Sequence, residues 1–308
     1  MNHFINIKDI PSIELRKIIK DAKKRKNNRK KLNTLDPDKD VPLKGKLLIQ
    51  MFEKSSLRTR ISFYLAIRQL GGSALTLRSD ELHLSRGGES VADTAKILST
   101  YCNIFMLRTD SDKKIREFQR HLSIPLVNGL SPSSHPAQIL SDVFTIEEIK
   151  KKNISKLNIC WIGDTNNVLN SLIEASVKFS FKLNIACPKS YKPKKSILTW
   201  AKNNKGRVQV FYDPKKAIIN ADVVLTDKVI SMNDKVNKKK KIKDFKNYRI
   251  NSKLMSKAKK SILLHCLPRG KEVSDDVFLG NKSKVWQQAQ NRIYVQKSIL
   301  LYCLDKLR

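Results

Sequence analysis

A short segment dense in hydroxyl and guanidinium groups lies in the first quarter of the chain. Residues 52–60 read Phe-Glu-Lys-Ser-Ser-Leu-Arg-Thr-Arg and follow a strand-like apolar run. Ser56 suits the N-cap of a following helix, and Arg58 and Thr59 fall in its first turn. Positive side chains at a helix N-terminus are unfavourable because the helix dipole is already positive there, so a bound anion would explain them. The segment therefore predicts an anion site; an ordinary capped surface helix is the alternative.

A histidine and a glutamine three residues apart form a second candidate. His135 and Gln138 follow a predicted strand, and Pro136 is suited to the first position of a helix. Residues three apart project from the same side of a helix. Their imidazole and amide groups could hold a carbonyl or phosphate oxygen, whereas a plain helix cap is the alternative interpretation of His135.

Further polar residues follow other predicted strands. Arg108 ends the run 104–107, and in the second half the segments 164–167, 227–232 and 265–268 follow strands. In open α/β sheets, ligands bind at the carboxyl ends of the strands. Each segment taken alone is more often a turn. Because no P-loop or dinucleotide-binding glycine pattern is present, a nucleotide is not the obvious ligand.

Strand-like and helix-like segments alternate along the chain, which is typical of parallel β/α units. Strands are predicted near residues 46–52, 74–77, 104–107, 124–127, 157–162, 183–186, 207–211, 223–226 and 262–265. The patterns between them favour helices, and a final helix is predicted at 285–304. The sequence therefore predicts two α/β domains, each a mainly parallel sheet flanked by helices, joined near residues 131–150.

The composition excludes several classes of protein. The chain has 308 residues, with 62 Lys+Arg against 28 Asp+Glu and a formal charge of +34. Only 16 of the basic residues are Arg, the better bidentate phosphate ligand, and no nucleic-acid-binding motif accompanies the lysines. No apolar run is long enough for a membrane span, no signal-peptide pattern is present, and the five cysteines include no C-x-x-C pair. We expect a soluble cytoplasmic protein with a lysine-rich solvated surface and no specific nucleic-acid or membrane partner.

Ordered motifs give the chain a resemblance to the carbamoyltransferase family, in its ornithine-specific branch. The family's S-T-R-T-R, H-P-x-Q, D-x-x-x-S-M, H-C-L-P and E-N-R patterns resemble, in this order, residues 56–60, 135–138, 227–232, 265–268 and 290–292. The resemblance covers nearly the whole chain. Aspartate-specific relatives differ at the D-x-x-x-S-M and H-C-L-P motifs, so these two indicate the ornithine branch.

The resemblance implies a fold and a reaction. A carbamoyl phosphate-binding domain would comprise residues 1–138 and 293–308, with the C-terminal helix packing back on it, and an ornithine-binding domain would comprise residues 139–292. The implied reaction converts carbamoyl phosphate and L-ornithine to L-citrulline and phosphate in arginine biosynthesis. Direct attack of the neutral side-chain amine on the carbamoyl carbon needs no metal and no organic cofactor. The implied assembly is a cytoplasmic homotrimer with shared active sites.

The resemblance also implies the roles of individual residues. Arg108, His135 and Cys266 are the implied catalytic residues. The implied carbamoyl phosphate-binding residues are Ser56, Leu57 through its backbone, Arg58, Thr59, His83 from a neighbouring subunit, Arg108, His135, Gln138, Leu267 and Arg292. The implied ornithine-binding residues are Asn167, Asp227, Ser231 and Met232.

Two positions depart from the family's pattern. Leu57 stands where the family has Thr, which removes a hydroxyl donor, and Asn233 stands where it has Gly. Relatives with altered acceptors also vary at position 57, so an acylated ornithine or a diamine stays an alternative acceptor. The set Asp227, Ser231 and Met232 favours a free α-amino acid, because a diamine has no carboxylate. A non-catalytic polyanion-binding protein on the same scaffold is the third interpretation.

Overall fold

Parallel β/α units build both halves of the chain. The computed structural model describes residues 1–78, 88–230 and 237–307. One unit comprises Met1–Phe144 and Ala289–Arg308, and the other comprises Thr145–Gln288. Each unit has a parallel sheet flanked by helices, so the predicted fold class is confirmed.

The sheet of the first unit reverses its strand order beside β1. Its described strands are β1 (Leu47–Phe52), β2 (Ser73–Arg78), β3 (Ile104–Arg108) and β4 (Leu126–Leu130). Its helices are α1 (Ser12–Asn28), α2 (Leu57–Gln69), α3 (Val91–Tyr101), α4 (Asp112–His121) and the first part of α5 (Pro136–Lys150). The spatial order is β2-β1-β3-β4, and all the pairs are parallel. The reversal therefore lies between β1 and β3, where α/β sheets commonly bind ligands.

Strand β1 is buried on both faces, as its sequence Leu-Leu-Ile-Gln-Met-Phe requires. Ile49 and Met51 pack against Phe105 of β3 and Phe118 of α4. The two phenylalanine rings lie 5.2 Å apart between centroids, in a tilted arrangement. This apolar layer holds the strands whose ends carry the polar residues.

The predicted boundaries of β4 are wrong. The strand was expected at 124–127 but spans Leu126–Leu130. Its C-terminal part pairs with β3, where Leu130 lies opposite Arg108. A bridge joins Val127 to the N-terminal segment, in which the Phe4 amide donates to the Leu126 carbonyl at 2.8 Å. The strand also contains Gly129, which reads as a turn residue in the sequence. A Cβ at this position would collide with the sulfur of Met106 in β3, so this buried methionine would have to shift.

Helix α1 was not predicted from the sequence, because its many lysines conceal the helical spacing of its apolar residues. Residues 17–31 contain several of the lysines that we expect from the composition to lie on a solvated surface. In the structure most of these residues belong to a helix whose Leu15, Ile18, Ile19 and Ala22 are buried at helical spacing. The lysines occupy the other side of an amphipathic helix.

The sheet of the second unit reverses its order in the same way. Its described strands are β5 (Asn158–Ile162), β6 (Lys182–Ala186), β7 (Arg207–Phe211), β8 (Val223–Thr226) and β9 (Ile262–His265). Its helices are α6 (Asn167–Lys178), α7 (Lys195–Asn203), α8 (Pro214–Ala217), α9 (Lys238–Asp244), α10 (Ser252–Met255), α11 (Asp275–Phe278) and the start of α12 (Val285–Cys303). The parallel strands are ordered β7-β6-β5-β8-β9, so the reversal lies between β5 and β8.

The C-terminal part of α12 belongs to the first unit, as predicted. Lys297 is fully buried, and its Nζ lies 2.7 Å from Asp38 Oδ1. Arg29 contributes a second ion pair to Asp38, at 2.8 Å. The hydroxyl of Ser298 donates to Asp21 Oδ2 of α1, also at 2.7 Å. A buried polar network therefore holds this helix. None of the helices in the described part of the chain is long and apolar enough to cross a membrane.

Candidate active site

The N-terminus of α2 lies beyond the carboxyl end of β1, at the reversal point of the first sheet. Ser56 is the N-cap, and its Oγ accepts a hydrogen bond from the Thr59 amide at 3.3 Å, which confirms the predicted cap. Thr59 is buried and Arg58 is half-buried, whereas the side chain of Leu57 is 73% exposed. Any contribution of Leu57 to a ligand in this first turn would therefore come from its backbone.

The hydroxyl of Thr59 joins two buried arginines from different parts of the chain. Its Oγ1 accepts hydrogen bonds from Arg292 Nη2 at 3.0 Å and from Arg108 Nη1 at 3.5 Å. Arg292 also donates through Nη1 to Gln138 Oε1, and the Gln138 amide donates to Asp142 Oδ1 at 2.8 Å. Side chains from α2, β3, α5 and α12 are therefore held together within the first unit.

His135 lies in this positive environment as a neutral ring. Its side chain is buried, and it precedes Pro136, which begins α5 as predicted. Burial holds the pKa of His135 well below its ordinary value, and the charges of Arg292, Arg108 and Arg58 lower it further. The ring is therefore uncharged at neutral pH. A neutral hydrogen-bonding group beside three guanidinium charges suits a ligand that combines an anion with a polar carbonyl.

The second unit presents polar residues at the carboxyl ends of β5 and β8, again at a reversal point. Asn166 caps α6 by accepting from the amides of Val168 and Leu169 at 3.0 and 3.2 Å. Its Nδ2 donates to Asp227 Oδ2 at 2.7 Å. Burial raises the pKa of Asp227, against the lowering effects of His265, the Lys228 amide and Asn166. A carboxylate in this setting is stabilised by a cationic ligand.

The loop after β9 is fixed by a buried histidine and glutamate. The Leu267 amide donates to His265 Nδ1 at 2.8 Å, which leaves the proton of the neutral ring on Nε2, 2.8 Å from Glu272 Oε1. The Gly270 amide also donates to Glu272, at 2.6 Å. Burial opposes the charge of Glu272, but these hydrogen bonds outweigh it and lower its pKa. Cys266, which is partly exposed, lies in this loop.

The predicted residues fall into two groups, one in each unit. The first unit brings together Ser56, Leu57, Arg58, Thr59, Arg108, His135, Gln138 and Arg292. The second unit places Asn167, Asp227, Cys266 and Leu267 at the carboxyl ends of three neighbouring strands. His83, Ser231 and Met232 lie outside the described residues.

Sequence reasoning missed three residues that hold these groups: Asp142, Asn166 and Glu272. Asn166 had a recognisable signal, because Asn before a helix is a common N-cap. Asp142 and Glu272 had none, because their roles depend on contacts that only the fold creates. Within the described ranges no cluster of three or more His, Cys, Asp or Glu side chains could hold a metal ion.

Comparison with known proteins gives matches along both units. The family model described as aspartate/ornithine carbamoyltransferase, carbamoyl-P binding domain, matches residues 2–148. The model described as aspartate/ornithine carbamoyltransferase, Asp/Orn binding domain, matches residues 155–303. The ornithine carbamoyltransferase of Brucella suis biovar 1 is 41% identical over 99% of this chain and 96% of that protein. The enzyme of Agrobacterium fabrum is 39% identical, with 98% and 97% covered.

Solved structures agree with these matches. The anabolic ornithine carbamoyltransferase of Campylobacter jejuni superimposes with a TM-score of 0.89 at 37% identity, covering 99% of this chain and 100% of that one. The ornithine carbamoyltransferase of Pyrococcus furiosus gives a TM-score of 0.90 at 36% identity, covering 97% and 96%.

Proposed function

The chain belongs to the aspartate/ornithine carbamoyltransferase family, and on that premise we propose that it converts carbamoyl phosphate and L-ornithine to L-citrulline and phosphate. The observation that carries this proposal is the group of guanidinium charges of Arg58, Arg108 and Arg292 around the neutral, buried His135. Carbamoyl phosphate combines a phosphate dianion with a carbonyl, which is the combination that this group can bind.

The first unit binds and activates carbamoyl phosphate. Ser56, the Leu57 amide, Arg58 and Thr59 hold the phosphate at the N-terminus of α2, where backbone amides and the helix dipole favour an anion. Arg108 and His135 stabilise negative charge that develops on the carbonyl oxygen as the amine attacks. A lost donor of this kind typically costs about 3–4 kcal/mol of transition-state stabilisation. Gln138, oriented by Asp142 and Arg292, binds the carbamoyl nitrogen.

The second unit binds L-ornithine. Asp227 pairs with the α-ammonium group, and Asn166 fixes the carboxylate that does so. The attacking side-chain amine must be neutral, and with a pKa near the Lys value its deprotonation at pH 7 costs about 4–5 kcal/mol. Cys266 orients this amine on a loop held by Glu272. No covalent acyl-enzyme is needed, because phosphate leaves directly.

We propose that the chain assembles as a homotrimer. Large apolar side chains are exposed on three elements of the first unit: Leu57, Ile61 and Tyr64 on α2, Leu75 on the edge strand β2, and Ile97 and Tyr101 on α3. Helix α2 and β2 also line a cleft of about 580 Å³ that includes Ser56, Arg60 and Arg78. Exposed large apolar side chains of this kind favour burial in a protein interface. Tyr101→Lys should yield monomers in light scattering. Tyr212→Lys, which changes an exposed tyrosine of the second unit, should leave the assembly intact. The same molecular mass for both variants would contradict an interface at Tyr101.

We further propose that the enzyme works in the cytoplasm in arginine biosynthesis. The five cysteines are free, as expected of a reducing compartment. The similar enzyme of Campylobacter jejuni is described as anabolic.

The test of the reaction is a citrulline assay with carbamoyl phosphate near pH 8. L-ornithine, L-aspartate, putrescine and N-acetylornithine should run in parallel, and only L-ornithine should give product. Arg58→Ala should lower kcat/KM by about 10²–10³-fold, as for other lost charge-stabilising donors. Arg68→Ala, an exposed arginine at the other end of α2, is the matched control and should change little. Product from another amine would overturn the acceptor, and no product from any amine would overturn the function.

A further inference from the structure

One lysine of the lysine-rich helix α9 is buried. Lys241 is 3% exposed, whereas Lys238, Lys239, Lys240 and Lys243 of the same helix are exposed. Its Nζ lies 2.8 Å from Asp164 Oδ2. The side chain of Asp164 is itself only 10% exposed. The two charges therefore form an ion pair that is largely removed from water.

A buried ion pair differs from the surface pairs that a lysine-rich chain forms by chance. An exposed pair typically contributes less than about 1 kcal/mol, because solvent screens it. Removing one partner of a buried pair leaves an uncompensated charge, so the structure around the remaining charge must shift to hydrate it. At this position the part that would shift is the segment that carries Asp164.

Asp164 begins the segment that orients the acceptor carboxylate. Its carbonyl accepts a hydrogen bond from the indole of Trp161 at 3.1 Å. Two residues later, Asn166 caps α6 and donates to Asp227 at 2.7 Å. A displacement of Asp164 therefore moves the donor that fixes Asp227.

We propose that Lys241 is a positioning residue for L-ornithine: through its ion pair with Asp164 it holds Asn166 against Asp227. The inference rests on the proposed function, because it concerns the substrate that Asp227 binds. It assigns a task to a residue in a helix whose other lysines are exposed. The carbamoyl phosphate residues that lie in the first unit should be unaffected by the change.

The kinetic test compares Lys241→Met with Lys240→Met, which removes the same charge from an exposed position of the same helix. Lys241→Met should raise KM for L-ornithine by about tenfold or more, since small misplacements of binding groups have effects up to about 10²-fold. KM for carbamoyl phosphate and kcat should stay within about twofold. Lys241→Arg should recover most of the ornithine affinity, because it restores the charge. Lys240→Met should resemble the parent.

Asp164→Asn removes the other charge of the same ion pair. It should raise KM for L-ornithine as Lys241→Met does, and the double variant should lose less than the two single effects multiplied, because neither charge is left alone. Equal KM values for Lys241→Met and Lys240→Met would overturn the proposal. A uniform loss of kcat and of both affinities in Lys241→Met, not rescued by arginine, would also overturn it in favour of a purely structural role.

A spectroscopic measurement separates this proposal from the proposed function. In a Trp200→Phe/Trp286→Phe background, Trp161 is the remaining tryptophan, and its indole reports on the Asp164 carbonyl. Its emission should shift to longer wavelength in Lys241→Met and not in Lys240→Met. Absence of citrulline in the parent protein would contradict the proposed function alone. Identical emission in both variants would contradict the role of Lys241, whatever the activity.

Discussion

At the scale of single residues, the site depends on the charge states of two buried groups. His135 is neutral because it is buried beside three arginines, and Asp227 resists ionisation because burial raises its pKa. The neutral His135 suits a ligand that combines an anion with a carbonyl, whereas Asp227 suits a ligand with an ammonium group. Each shift has a measurable consequence.

His135 should stay neutral at pH values where an ordinary histidine is protonated. Nitrogen chemical shifts of labelled histidine should show no titration of His135 near pH 6.5. Arg292→Met removes one repelling charge and should raise the pKa of His135 toward its ordinary value. Titration of His135 near pH 6.5 in the parent protein would contradict the neutral ring.

Asp227 should make ornithine binding sensitive to acid. A raised pKa means that the carboxylate is lost at a higher pH than for an ordinary aspartate, so KM for L-ornithine should rise as the pH falls through that raised value. At pH values above that raised pKa, Asp227→Asn should raise KM for L-ornithine at least about tenfold, since a charge-assisted pair is lost, and the difference from the parent should shrink at lower pH. Asp222→Asn, at the other end of β8, is the matched control. Equal KM values for the two variants would exclude Asp227 from binding.

At the scale of elements, an internal ion network attaches helix α12 to the first unit. Lys297 is buried against Asp38, and the helix also presents Arg292 to Thr59. The attachment of α12 therefore also keeps Arg292 beside Thr59 in the proposed carbamoyl phosphate site.

Lys297→Met should lower the free energy of unfolding by about 1.5–3 kcal/mol, because Asp38 loses one charged hydrogen-bond partner and keeps Arg25 and Arg29. Lys306→Met, an exposed lysine beyond the same helix, should change little. Burial lowers the pKa of Lys297 to about 8, so between pH 8 and the ordinary lysine value the unfolded chain binds more protons than the folded one. The parent should therefore gain stability relative to Lys297→Met as the pH rises through this window. Urea unfolding of the parent and the variants at several pH values measures both effects. If the parent instead lost stability relative to Lys297→Met as the pH rises, the lowered pKa of Lys297 would be contradicted.

Most elements could be predicted from the sequence because their periodicity is local. The strand near 223–226 and the helix near Val91–Tyr101 follow from runs of apolar residues and their spacing. The end of β4 could not be predicted, because Leu130 pairs with Arg108 of β3 and the preceding Gly129 reads as a turn residue. Motif resemblance pointed to Arg58 and Asp227, whereas Glu272 and Lys241 acquire roles only through contacts made on folding.

At the scale of the whole molecule, the positive charge is unequally distributed. The second unit has 32 Lys+Arg against 12 Asp+Glu, a formal charge of +20 in 144 residues. This field attracts a phosphate dianion and repels a cationic amino acid. The binding of L-ornithine therefore works against the charge of the unit that receives it.

Salt should consequently improve ornithine binding. Raising KCl from about 20 to 200 mM shortens the Debye length from about 20 Å to below about 10 Å, which screens the repulsion. KM for L-ornithine should fall, and KM for carbamoyl phosphate should rise, because attraction is screened as well. Steady-state kinetics with each substrate varied in turn measures both. A KM for L-ornithine that stays constant or rises with the KCl concentration would show that groups close to the substrate outweigh the net charge of the unit.

The division of the first unit between two stretches of chain has a consequence for synthesis on the ribosome. Residues 289–307 emerge after residues 145–288, so a nascent first unit lacks Arg292 and Lys297 while the second is being translated. The guanidinium that joins Thr59 to Gln138 is therefore made only after the whole second unit. A chain whose synthesis stops within the second unit has Thr59 and Gln138 but lacks the arginine that joins them.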